Sequence, residues 1–233
     1  MTEPMKYGQT EFEVHLPPEL IAAELEPNQV DLPQRTTAEH IRWALDHPID
    51  SAPLKELVKA GDKVCVVISD VTRRWQAPDT YLPILIGELE AAGVRDEDIL
   101  ILSATGTHRR QTEEEHIGLV TKPVYDRIRV EDHVCTDQDN LAYVGTTSRG
   151  TPVWLDKRAL ACDKIILTGG VVYHFMAGFG GGRKSILPGI AGRETIMKNH
   201  NLALNPGIGS GSNPNVRSAN MNAANPVHAD MME

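Results

Sequence analysis

The chain is poor in cysteine, short of basic residues and without a long apolar run. Its three cysteines, Cys65, Cys135 and Cys162, are widely spaced and form no CxxC pair. That argues against a disulfide framework or a zinc finger and points to buried thiols in a reducing compartment. Lys and Arg total 23 against 32 Asp and Glu, a formal net charge of −9 with a pI near 5.5. A broad basic face for gripping nucleic acid is therefore excluded, and small-molecule chemistry is favoured. No stretch reaches the roughly 18 apolar residues of a membrane span. The start, Met1-Thr2-Glu3-Pro4, lacks the basic and apolar regions of a secretion signal, so the cytoplasm is expected, with neither membrane nor nucleic acid as a partner. HxH, HExxH and cysteine clusters are absent too, which leaves no conventional all-protein metal site.

What is present is enough for a core: 233 residues with 41% hydrophobic content. Residues 1–52 read as an entry segment packed on the main domain, with a helix capped by Thr37 and carrying Ile41, Trp43 and Leu45. Residues 53–204 read as an α/β domain. In it LKELVKA is a helix ending at Gly61, KVCVVIS a buried strand, TYLPILIGELEAA a helix stopped by Gly93, and DILILSA a second buried strand. Thr112 with Glu115 has capping-box spacing, a strand is expected from Arg129 to Val134, and a short helix from Leu155 to Ala161 leads into the strand KIILTG. The predicted fold is a Rossmann-like layered domain with a largely parallel sheet. Residues 205–233 read as an Asn-rich linker, then a helix opened by Asn225 and Pro226, leading to a C-terminal domain absent from this chain.

The polar residues that matter recur at one place in this plan. Asp70, Thr72 and Arg73, then His108, then His174 all follow the C-terminal ends of predicted buried strands, where open α/β sheets hold their ligands. Two histidines on separate loops suit a general acid and a general base on opposite faces of a substrate. Arg73 can offer its planar fork to a carboxylate, with Asp70 and Thr72 hydrogen-bonding or fixing the loop. The run Gly178-Phe179-Gly180-Gly181-Gly182-Arg183-Lys184-Ser185 lets backbone N–H groups approach an anion, with Lys184 to hold a phosphate or act as a nucleophile. It is not a standard P-loop, because Arg183 occupies the position of the glycine before the lysine. An anion- or nucleotide-binding module without redox chemistry, and a Mg²⁺-dependent phosphotransferase, remain alternative readings. His200, near the end of the helix RETIMKNHNLAL, could turn back toward Lys184 as a ligand for Ni, Cu or Zn, with a cofactor supplying the other donors.

Together SDVTR, ATGTHR, the run from His174 to Gly192 and the Thr195–His200 segment TIMKNH resemble the lactate racemase family in order and spacing. The resemblance implies an isomerase that racemises or epimerises a 2-hydroxyacid. Its cofactor is a nickel pincer nucleotide, a pyridinium mononucleotide bearing thio groups. By that resemblance Lys184 joins the cofactor covalently and His200 ligates the nickel. His108 and His174 are then the acid–base pair, Arg73 orients the substrate carboxylate, and Asp70 and Thr72 contact the cofactor. Cofactor-synthesis proteins are implied as partners, and protein from an ordinary host is expected to be apo. Arg74-Trp75 and Tyr173 depart from the family pattern and imply a larger or more polar acid than lactate.

Overall fold

The structure is a computed structural model and describes residues 2–8, 10–26, 28–204 and 225–233. Nearly all of the expected 205–225 linker lies outside the described residues. Two compact units divide the chain, Met1–Arg35 and Thr36–Glu233. In the first, β1 (Thr2–Tyr7) and β2 (Thr10–His15) pair antiparallel, with Thr2 opposite His15 and Tyr7 opposite Thr10. The two-residue alternation of Phe12 and Val14 with Glu11, Glu13 and His15 is a strand signal that the surrounding Pro- and Glu-rich sequence obscures.

The second unit opens with α1 (Thr37–Asp46), capped by Thr36 rather than Thr37. Of two adjacent threonines, the one three residues before a glutamate closes the reciprocal capping box, and the Glu39 carboxylate accepts the Thr36 N–H at 2.7 Å. The helix expected over LKELVKA is a single turn, α2 (Leu54–Leu57). Val58 leaves it in an extended conformation and is buried in the main core, so packing overrides propensity.

Then come β3 (Val64–Ser69), α3 (Pro78–Ala91), β4 (Ile99–Ala104), α4 (Glu113–Val120), α5 (Lys122–Tyr125) and β5 (Arg129–Asp132). The predicted box at Thr112 and Glu115 caps α4. A hairpin of β6 (Leu141–Thr146) and β7 (Pro152–Asp156) takes residues 155 and 156 from the expected helix, which starts only at α6 (Lys157–Leu160). Leu155 is held in the strand by pairing with Ala142 and by a bridge to Ala191, and Asp156 caps α6. β8 (Lys164–Leu167) is followed by the short hairpin β9 (Tyr173–His174) and β10 (Gly178–Phe179). Two helices end the described chain, α7 (Arg193–Asn201) and α8 (Pro226–Met232), the latter capped by Asn225 as its sequence predicts.

Strands β5, β4, β3 and β8 form, in that order, one fully parallel sheet, the predicted α/β architecture. Alternation along the central strands builds both faces. Val64, Val66, Ile68, Ile99 and Ile101 pack on Leu82, Leu85, Ile86 and Leu89 of α3 and Leu119 of α4. Cys65, Val67, Leu100 and Leu102 face Ala159 and Ile190 on the other side. Each large apolar side chain so buried contributes about 1.5–3 kcal/mol, which is why these runs are continuously apolar. All three cysteines are free, and no described helix is long and apolar enough to cross a membrane. The sheet order turns at β3, with β4 on one edge and β8 on the other, and a ligand crevice belongs at such a turn.

Candidate active site

The exits of β3, β4 and β8 meet there. After β3 the chain enters a 3-10 turn, Val71–Gln76, which carries Arg73, and the Val71 N–H donates to Gln111 Oε1 at 2.7 Å. After β4, Thr105 anchors its loop on the His133 carbonyl, and the His108 N–H closes a turn onto Thr105. After β8, Gly169 and Gly170 lead to the β9–β10 hairpin and then to the 3-10 turn Gly182–Ser185 bearing Lys184. That turn is tied down from both sides: Ser185 Oγ donates to the Thr168 carbonyl at 2.9 Å, and the Gly189 N–H donates to the Lys184 carbonyl at 3.1 Å.

A cavity of about 330 Å³ is lined by Arg73, His108, His174, Lys184 and His200 together. Five of the seven sequence-predicted site residues thus share one space. The other two do not line it: Asp70 is buried behind the wall and Thr72 is exposed. Asp70 is 1% exposed; its Oδ1 accepts the Thr72 hydroxyl at 2.6 Å and pairs with the Arg73 guanidinium at 3.5 Å, and its Oδ2 meets His108 Nδ1. His174 is held differently, with Nδ1 accepting the N–H groups of Met176 and Ala177 at 3.2 and 3.1 Å.

The electrostatics are those of a partly desolvated cationic pocket. Burial, and then Lys184, His200, Arg73 and Arg183, push His174 down to about 4. Burial, and then Arg73 and Arg183, push Lys184 from 10.5 down to about 8. His200 is lowered by burial and by Lys184, opposed by the nearby Ile196 backbone carbonyl. These shifts leave two imidazoles neutral at physiological pH and a lysine with a substantial free-amine fraction, the nucleophilic and ligating forms. Glycine lets two walls of the site approach closely: a Cβ on Gly180 would lie 3.1 Å from the Gly170 carbonyl oxygen.

Of the three departures from family pattern, only Trp75 lines the cavity. Arg74 lies over Gly118 of α4, and the Tyr173 ring packs on Phe179 at 4.9 Å. Gln111 and the wall residues Gln76, Ile196 and Met197 were not singled out from sequence. Ile196 and Met197 precede His200 by four and three positions, a helical spacing that places all three on one face.

A family model described as the lactate racemase N-terminal domain matches residues 7–211. This chain belongs to that family. It is 36% identical over 195 residues to a lactate racemase of Lactiplantibacillus plantarum, covering 83% of this chain and 44% of that protein. It is 31% identical over 229 residues to a lactate racemase of Thermoanaerobacterium thermosaccharolyticum, covering 97% and 51%. The lactate racemase apoprotein structure from the latter organism matches with a TM-score of 0.79 at 30% identity, covering 100% of this chain and 52% of that one. A protein from Thermotoga maritima matches with a TM-score of 0.64 at 25% identity, covering 84% and 46%. The chain spans about half the length of the curated relatives it matches.

Proposed function

We propose that this chain carries the cofactor-holding and acid–base residues of a 2-hydroxyacid racemase of the lactate racemase type, with further chain, corresponding to the other half of its relatives, completing the site. The observation that carries the reading is the convergence of Arg73, His108, His174, Lys184 and His200 on one cavity at the strand ends.

The residues present fit a nickel pincer nucleotide. Lys184 faces the cavity, half-desolvated and beside the cations Arg73 and Arg183, with no carboxylate partner among the described residues, so its amine is available for covalent attachment. His200 Nδ1 is buried without a hydrogen bond of normal geometry among the described residues, and a neutral imidazole is the ligating form. No group of three His, Cys, Asp or Glu among the described residues is placed to hold a metal, so His200 would be a single protein ligand beside donors from the nucleotide. Bound there, the cofactor would supply a reversible acceptor for the substrate's α-hydrogen as hydride.

This chain's own residues do the rest. Arg73 offers its fork to the substrate carboxylate and fixes which carbon faces the cofactor. His108 takes the hydroxyl proton, and His174, on a separate hairpin, serves the substrate oxygen from the other side. With the cofactor bound, inversion would require the planar 2-keto acid to turn in the site so that the hydride is given back to its other face. Trp75 shapes the space beside the carboxylate site, so the substrate is lactate or a larger 2-hydroxyacid. The test is full-length protein produced with the cofactor-synthesis proteins and given single enantiomers of lactate and larger 2-hydroxyacids. Chiral chromatography should show the mirror isomer, and Lys184→Ala should abolish the nucleotide adduct in intact-mass spectra. Loaded protein that converts none of these acids, or an adduct that survives Lys184→Ala, refutes the proposal.

A further inference from the structure

His108 and His174 are held in opposite tautomers, and the reason lies in their second ring nitrogens. At Asp70, Oδ1 takes the Thr72 hydroxyl at 2.6 Å and faces the Arg73 guanidinium at 3.5 Å. A carboxylate so placed is an acceptor only, since Arg keeps its protons. Its Oδ2 contacts His108 Nδ1, and two acceptors cannot share such a contact without a hydrogen between them, so Nδ1 of His108 carries it. In the neutral ring Nε2 is then the bare nitrogen. At His174 the arrangement is reversed. The N–H groups of Met176 and Ala177 both aim at Nδ1, and since an N–H can only donate, Nδ1 is bare and Nε2 of the neutral ring bears the hydrogen.

We propose that Asp70 is a positioning residue: it locks His108 with the Nε2 lone pair available to the cavity, opposite to the Nε2–H that the β9–β10 turn imposes on His174. The resting site then holds one proton acceptor and one hydrogen-bond donor for the same substrate oxygen. This removes Asp70 from the cofactor-contacting role expected from sequence, because both its oxygens are engaged inside the protein and it does not line the cavity. Thr72 is part of the same device; its hydroxyl donates to Asp70 and accepts from Arg73 Nη1 at 3.4 Å. The catalytic meaning of this device rests on the racemase reading, while the tautomers stand on geometry alone.

The experiment has two arms. In this chain without cofactor, ¹⁵N-histidine NMR at about pH 8, where ordinary imidazoles are neutral, reads which ring nitrogen is protonated. Wild type should show His108 protonated at Nδ1 and His174 at Nε2. Asp70→Asn places an amide against Nδ1 and should reverse His108 alone, with Asp70→Glu restoring it. In the cofactor-loaded full-length protein, Asp70→Asn should lower kcat at least about a hundredfold while KM moves less than about threefold, as an orienting carboxylate does when replaced by its amide. His108 protonated at Nε2 in wild type, or unmoved by Asp70→Asn, overturns the proposal. A reversed tautomer with unchanged kcat overturns the positioning role. If wild type itself racemises nothing, the racemase reading fails, and the NMR arm alone decides whether Asp70 sets the His108 tautomer.

Discussion

Replacing Lys184 by Met should make the protein more stable, not less. The amine sits in a desolvated pocket beside Arg73 and Arg183, which lowers it from 10.5 to about 8. A lysine whose folded value lies below its unfolded one costs stability wherever it must be charged in the fold. The cost is complete below about pH 8 and disappears as the pH rises toward 10.5, because across that window the unfolded chain binds more protons than the folded one. At about 1.4 kcal/mol per pH unit the ceiling is about 3 kcal/mol, and partial access to water reduces this to about 1–2 kcal/mol. Methionine keeps the apolar stem and removes the charge. For a unit of this size that corresponds to a rise in Tm of about 2–8 °C at pH 7. Urea or thermal denaturation of both proteins at pH 7 and again near pH 10 is the assay. A variant less stable than wild type at pH 7, or a gain of equal size at both pH values, would refute the reasoning. A confirmed gain would mark Lys184 as a residue kept at the expense of stability.

His174 makes the complementary case in acid. Its folded value of about 4 lies below the ordinary 6.5, so stability present above about pH 6.5 is lost as the pH falls toward 4. After discounting for its solvent access, His174→Gln should lessen that acid loss by up to about 1 kcal/mol, read as a smaller drop in denaturation midpoint between pH 7 and 4. Among the glycines, a Cβ on Gly189 would stand 2.1 Å from the Ser185 carbonyl oxygen and 2.8 Å from Ala104 Cβ. Gly189→Ala should therefore cost about 1–3 kcal/mol and displace the Lys184 turn. Gly87→Ala, with nothing within 4 Å on an exposed face of α3, should gain about 0.5–1 kcal/mol, so equal effects in calorimetry would contradict the packing described.

The sheet was legible because β3 and β4 are buried on both faces, and continuous runs such as VCVVIS cannot be read any other way. The β6–β7 hairpin escaped notice because its side chains are mostly half-buried and its register shifts between Tyr143 and Gly145, which breaks the alternation that announces a strand. Arg73 and His108 could be placed at the sheet's C-terminal edge from sequence since each closely follows an apolar run. Their partners could not. Asp70 and His108 are 38 positions apart, and only the parallel pairing of β3 with β4 brings them together.

Asp230 of α8 accepts the hydroxyls of Thr147 and Thr151 at 2.6 and 2.9 Å and the Asn199 amide at 2.9 Å, one residue before His200. Ala177 and Ala203 close over Val227 beside it. A fragment trimmed after Leu204, where the histidine's own helix has run out, would strip three polar groups of their shared acceptor and uncover that apolar cluster. The first turn of α7 would remain pinned through Thr195 to Pro152 and Trp154, but its far end would be loose. The smallest piece able to hold His200 in place therefore extends through Met232, and shortening it should loosen the His200 helix before it unfolds the sheet.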